Sequence, residues 1–354
     1  MLMNLKHILT LLICGVVIAA APAAALELTG EPEIIYTTGE HCIVYAITDG
    51  THVLINDYYL KFDGSKPKEE LLQRGMLHLY NIAEKTLITI SGTENIEQNN
   101  VRLSGDDVYW QNRRYSEDPR VAEYDVYHYS ISSGVTTQLH VPRLPREGTN
   151  YELSYKPVAG PDPYAVIITA EHRNTGEKQI VSMPENADAW TIQTSGDRMV
   201  FGDMPEKGGK AMYLYDFSTK ETTLLEEVQD GMLKVMDFSG DTLLYVYDSG
   251  DVPKLYAKNI ATGETKLLSD VPLHYDETDM DGRLAVWRGW YWNDDFSRSD
   301  RVATPLYAAP TTGRGSPVLL DTGARTPSVQ NNVVVWSVWD DTTDRDTIKL
   351  AAFQ

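Results

Sequence analysis

One element recurs along this chain and limits what it can fold into: a short polar turn followed, five residues on, by a large aromatic. Ser104-Gly105-Asp106 leads to Trp110, Ser195-Gly196-Asp197 to Phe201, and Ser239-Gly240-Asp241 to Tyr245. Asp281-Gly282-Arg283 leads to Trp287 and Gln330-Asn331-Asn332 to Trp336. Looser copies sit at Gly39, followed by Tyr45, and at Gly148, so successive anchors lie 66, 43, 48, 44, 42 and 49 residues apart. A unit of this length with strand-type patterning cannot bury its own two faces; stacked neighbours must cover them.

Within each period four short strands, a to d, are expected, with b carrying the aromatic. The c strands alternate apolar and polar residues and are rich in tyrosine and β-branched side chains, as in Asp125–Tyr129, Met212–Tyr215 and Lys254–Ala257. Glycine turns follow at Ser132-Ser133-Gly134 and Ala261-Thr262-Gly263, where a hairpin needs positive φ. The predicted fold is all-β: one seven-bladed β-propeller over residues 26–354, with six or eight blades as the alternatives. After Asn332 the chain holds two strands, Val333–Trp336 and Ile348–Phe353. Leu26–Thr29 is expected to supply the missing d strand and so close the ring, with Glu33–Tyr36 opening the first blade. The long first period reads as an insertion from about Ile47 to Gly75, with Pro67 starting a short helix over Lys66–Leu72.

Residues 1 to about 25 have the pattern of a secretory signal: Lys6, an apolar run from Ile8 to Ala20, then Ala21-Pro22-Ala23-Ala24-Ala25. Cys14 follows Ile13, where a lipid-attachment signal wants a small residue, so a soluble exported chain is expected, with no transmembrane segment after cleavage. Cys42 is then the one cysteine left, in the apolar run Cys42-Ile43-Val44-Tyr45, and reads as a buried small hydrophobe. The chain carries 31 basic and 51 acidic residues, a net charge of −20. Such a surface repels phosphates, which excludes nucleic acid and anionic lipid as expected partners.

The block Val108-Tyr109-Trp110-Gln111-Asn112-Arg113-Arg114, with Tyr124-Asp125-Val126-Tyr127-His128-Tyr129 and Ser133-Gly134 after it, resembles extracytoplasmic, WD-repeat-like propeller proteins of archaea and bacteria related to TolB. The resemblance covers essentially the whole chain after the signal, and is poor in the third blade. It implies a propeller and a binding or scaffolding role, with no shared catalytic residues to carry over.

Strand alternation brings every b–c and d–a loop to one face of the ring. Trp290, Tyr291, Trp292, Asp294 and Asp295 in the b–c loop of the sixth blade, with Trp339 in the seventh, set aromatic planes beside carboxylates, which suits a sugar ring or a peptide. The alternative is that these tryptophans seal a long loop onto the ring. Asp340, Asp341, Asp344 and Asp346 could hold calcium, although they lack EF-hand spacing and serve equally as turn caps. His274, Asp276, Glu277 and Asp279 precede the sixth anchor and could enter the channel, where, by fold analogy alone, some seven-bladed polysaccharide lyases work with a metal. No G-x-S-x-G elbow, phosphate loop or dinucleotide fingerprint is present. The expected function is therefore a secreted, non-enzymatic propeller that binds an extracellular or envelope protein or glycan, without a cofactor other than possible calcium. The alternative is a carbohydrate-active enzyme, lyase or glycosidase-like, using the channel.

Overall fold

The computed structural model describes residues 27–39, 42–60, 73–94, 97–115, 122–139, 150–157, 166–184, 187–188, 191–203, 209–250, 252–270, 277–289, 305–340, 342–343 and 345–354. These form seven antiparallel sheets arranged as the blades of a propeller. Six have four described strands; the third has three, Tyr151–Pro157, Val166–His172 and Lys178–Val181. The signal-like segment and Gly148 lie outside the described residues.

The repeated aromatic has a structural purpose. On strand b it stacks on a tyrosine directly across on strand c: Trp110 on Tyr127 at 5.5 Å between ring centroids, Phe201 on Tyr213 at 5.5 Å, Tyr245 on Tyr256 at 5.4 Å, and Trp287 on Tyr307 at 5.7 Å. In the seventh blade Lys349 replaces the tyrosine opposite Trp336. There the indole N–H and the ammonium both donate to Asp321, at 3.0 and 2.7 Å.

Because blades stack face to face, strand b of the fifth, sixth and seventh blades is covered on both sides and reads as an apolar run. Every residue of Leu284–Arg288 is buried. Ala285 and Trp287 pack on Leu244, Leu255 and Leu268 of the fifth blade, while Leu284 and Val286 pack on Val334 and Trp336 of the seventh. No blade has a core of its own, so stability is shared around the ring. The a–b turns are stitched in the same sense: Arg198 donates to Asp241 and to the Gly240 carbonyl, and Thr242 donates to the Gly282 carbonyl.

Ring closure corrects the expected strand assignment. The strand that completes the seventh blade is Glu33–Thr37, antiparallel to Arg345–Ala352, with Glu33 opposite Leu350 and Thr37 opposite Thr347. Leu28 makes a bridge to Phe353, and Glu27 and Gln354 exchange two backbone hydrogen bonds, so Glu27–Thr29 extends the pairing without being the strand itself. The first blade's inner strand is Cys42–Thr48, followed by His52–Leu60 and Gln73–Asn81. The region from Ile47 to Gly75 is thus largely regular sheet, and the extra length falls at residues 61–72, where the expected helix lies outside the described residues. The first-blade turn is at Gly50, not Gly39. Its φ is +87°, and a Cβ there would meet the Asn331 Cβ at 2.5 Å, because the turns of the first and seventh blades abut.

Removing residues through Thr37 should leave Arg345–Ala352 as an open edge and uncover Val44, Val53 and Val335. We expect the cooperative thermal transition monitored by circular dichroism to be lost. Trp287→Ala should cost about 3–5 kcal/mol in urea unfolding, the penalty for emptying a buried aromatic site. An unchanged transition in the truncated chain would show that the ring holds without its closing strand.

Candidate functional site

The innermost strands surround a central channel with a cavity of about 950 Å³. Its described wall comes from six blades and is mostly polar: Thr48 and Asp49, Arg102 and Ser104, Gln193 to Ser195, Asp237 and Ser239, Asp279, and Ser328 to Asn331. At the loop-bearing end a second cavity of about 540 Å³ is lined by Gln193, Lys234, Glu277, Thr326 and Pro327 among others. Thr326 carries a φ of +43°, unusual for a β-branched residue, at a bulge in the strand Ala324–Gln330.

Two aspartates stand at the same repeat position, three residues before the turn glycine, in adjacent blades: Asp237 before Gly240 and Asp279 before Gly282. Each carboxylate is a staple to the next blade. Asp279 accepts the Val329 N–H at 2.7 Å and the Met280 N–H at 2.9 Å; Asp237 accepts the Phe238 N–H at 2.7 Å and is also bonded by the Met280 amide. Asp281 repeats the device on the Asn332 N–H at 3.0 Å. Half-open to the channel yet enclosed by the ring, the pair is poorly hydrated. Burial, then the charge of Asp279, pushes the Asp237 carboxyl up to about 7. Burial also raises Asp279, with the Asp281 charge adding to it against the hydrogen bonds from Val329, Met280 and Ser328. Two carboxylates so placed can accept a cationic or hydrogen-bond-donating group from a ligand.

Of the expected channel residues, Glu277 and Asp279 are in place on Glu277–Met280, while His274 and Asp276 lie outside the described residues. Glu277 faces the channel mouth but is engaged: it pairs with Arg288 at 3.3 Å and accepts the Thr326 N–H. The expected aromatic platform at Trp290, Tyr291, Trp292, Asp294 and Asp295 also lies outside the described residues. Trp339 is half-buried, with the Arg325 guanidinium 5.8 Å from its ring centroid. Asp340 caps a turn, accepting the Thr342 N–H at 2.9 Å and hydroxyls of Thr342 and Thr343, bonds that hold its pKa down at about 2. Asp346 is fully buried and faces the first blade, and Asp341 and Asp344 lie outside the described residues. No group of three or more His, Cys, Asp or Glu side chains placed to share a metal occurs among the described residues. Asp237 was not singled out from the sequence, although its alignment with Asp279 three residues before a turn glycine was the signal that could have found it.

No protein-family model and no curated protein matches this sequence. Its fold is similar to that of solved propellers. The β-propeller domain of the Trilobed protease from Pyrococcus furiosus superposes with a TM-score of 0.55 at 12% identity, over 92% of this chain and 95% of that one. Acylaminoacyl peptidase from Pyrococcus horikoshii gives 0.55 at 11% identity, over 85% of this chain and 49% of that one. TolB from Acinetobacter baumannii gives 0.40 at 13% identity, over 85% and 80%. The chain spans about half the length of the peptidase. At such identities the likeness to the first two shows a shared β-propeller fold and nothing of function.

The channel pair makes stability depend on pH. In the folded ring Asp237 keeps its proton up to about 7, whereas the unfolded chain releases it near the ordinary value of 3.8. The fold binds the extra proton between those values, so its contribution is complete below about 4 and is lost as the pH rises through about 7. Asp237→Asn should flatten that decline and leave the protein more stable than the parent at pH 8 by roughly 1–2 kcal/mol, after allowance for solvent in the channel. Urea unfolding across this range is the measurement, and a variant less stable than the parent at pH 8 would contradict the assignment.

Proposed function

We propose that this chain is a non-enzymatic binding propeller that acts outside the cytoplasm, exported by its signal-like first 25 residues. Its partner is a protein that places a cationic, hydrogen-bonding segment in the central channel. The observation that carries this reading is the channel wall itself. Hydroxyl, amide and carboxylate groups line about 950 Å³, Arg102 is the one cation among its described lining residues, and Asp237 and Asp279 stand together in it. An inserted ammonium group would ionise both carboxylates and remove their mutual repulsion. The net charge of −20 would draw such a segment toward the protein, raising the association rate more than the final affinity.

A second reading has its own support. A carboxyl poised at about 7 beside another carboxylate in a cavity is the arrangement that general acid–base chemistry uses, which favours a carbohydrate-active enzyme with Asp237 and Asp279 in the two roles. In that case the tryptophans at 290 and 292, with Trp339, would meet the sugar.

Short labelled peptides of one length, lysine-rich or glutamate-rich, separate these readings by fluorescence anisotropy. The lysine-rich peptide should bind more tightly at low salt, and Asp279→Asn should weaken it about tenfold or more. Equal binding of both peptides would overturn the proposal. Turnover on a panel of acidic and neutral polysaccharides that disappears in Asp237→Asn would replace it by the enzymatic reading.

A further inference from the structure

The second cavity, of about 540 Å³, adjoins the channel at Gln193, which lines both. Its charge is opposite to that of the channel's carboxylate pair. Glu277 stands in the wall, but its charge is balanced by Arg288 at 3.3 Å, a side chain that is itself buried. Lys234 stands there too; it is exposed and makes no hydrogen bond or ion pair among the described residues. The side chains of Gln193 and Thr278 in the same wall are equally uncommitted among those residues. Met236 and Pro327 add apolar surface.

A bulge fixes where Lys234 stands relative to Asp237. Three positions apart on a regular strand, the two would point to opposite faces. The pairing of Met232–Ser239 with Thr242–Asp248 shifts between Val235 and Asp237, and the extra residue reverses the alternation. Leu233, Val235 and Phe238 accordingly pack on one side with Val200 and Met212 of the fourth blade, which puts Lys234 and Asp237 together on the side of the sixth. The Met280 amide that bonds Asp237 belongs to that sixth blade. Across the ladder Lys234 is opposite Val246 and Asp237 opposite Leu244, positions two residues apart, a rise of about 7 Å.

A wall of uncommitted donors with one unbalanced cation fits a carboxylate, which accepts from an ammonium, an amide and a hydroxyl at once. One lysine balances one negative charge, whereas a phosphate group carries about −1.5 to −2. We propose that the segment entering the channel carries an acidic side chain two residues from its cationic one, and that Lys234, Gln193 and Thr278 hold its carboxylate. Residues two apart on an extended segment face the same way and lie about 7 Å apart, so acid and base meet Lys234 and the Asp237–Asp279 pair together. The inference rests on the cationic-segment reading of the channel and narrows it to one spacing of charges.

Three labelled peptides of one length, each with a single lysine, test this by fluorescence anisotropy on the full chain at low salt. The first has glutamates two residues to either side of the lysine, the second has glutamines there, and the third has glutamates at the adjacent positions. The first should bind about tenfold more tightly than the other two, the gain expected of one charge-assisted contact, and against the repulsion of its own net negative charge. Lys234→Gln should remove that preference and leave the melting temperature unchanged, since the side chain is exposed, whereas Asp279→Asn should weaken all three peptides. Equal binding of the first and second peptides, with Asp279→Asn still weakening both, would overturn the Lys234 subsite and leave the channel reading standing. Failure of all three to bind would remove both. A preference that survives Lys234→Gln would overturn the assignment, and so would a short oligouronate that binds more tightly than the first peptide and depends on Lys234, which would give the site to a sugar acid.

Discussion

Everything in this molecule depends on the antiparallel pairing of Glu33–Thr37 with Arg345–Ala352. Strand b of the fifth, sixth and seventh blades is covered on both faces, so such a blade needs a neighbour on each side, and a row of them would end in two open faces. Bending the row into a ring removes the open ends and creates one interface between blades distant in sequence. That interface carries more hydrogen bonding than a purely hydrophobic contact would require. Tyr36 and Thr38 of the first segment reach Asp57 and Asp346, the Asn331 side chain donates to the Asp49 carbonyl at 2.8 Å, and Gly50 leaves room for the turn opposite. Apolar contact supplies the energy of closure; directional bonds fix its register, since a sheet face can slide and a buried hydrogen bond cannot.

Closure also makes the channel. The innermost strands have one edge paired within the blade and the other turned to the axis, so their side chains and spare backbone groups line a space that no single blade encloses. Asp237 and Asp279 arise from this geometry. A residue three before the turn glycine reaches the N–H of the next blade's inner strand, and a carboxylate is a strong acceptor for it. Used in adjacent blades, this structural device places two anions near each other in a poorly hydrated channel. The same groups that bind the blades together thereby raise Asp237 to a pKa of about 7. A structural origin and a functional use are compatible here, because the bonds to Val329 and Met280 hold the carboxylates in place for a ligand.

How far the sequence could be read follows from the range of each interaction. The turn-to-aromatic spacing is local, and it located five blades through Trp110, Phe201, Tyr245, Trp287 and Trp336, together with the c-strand tyrosines on which four of them stack. The first blade was misread because Ile55 stands where five other blades put an aromatic, while Tyr45 offered a false match after Gly39. Closure at the N-terminus was anticipated; its strand was placed too early, because Leu26–Thr29 alternates while Glu33–Thr37, with Ile34-Ile35-Tyr36 in a row, does not, and hydrogen bonds more than 300 residues apart decide between them. The site residues were less legible for the same reason. A lone aspartate in a strand says nothing until its partner from the next blade is known, which is why Asp237 went unnoticed. Asp346 drew attention through its acidic neighbours in sequence, yet its actual contacts are Val44 and Thr38.

The channel and the closing interface are also mechanically joined. Asp279 accepts the Val329 N–H, Asp281 accepts the Asn332 N–H, and between them Asn331 donates to Asp49 across the closure. A ligand that draws the Asp279 carboxylate toward the axis must stretch the first of these bonds or move the strand Ala324–Gln330 with it. That strand is irregular, as is Glu97–Ser104 of the second blade: its pairing shifts between Arg325 and Ser328, and Thr326 has positive φ. A change in the channel thus has a short covalent and hydrogen-bonded route to the interface that holds the ring shut.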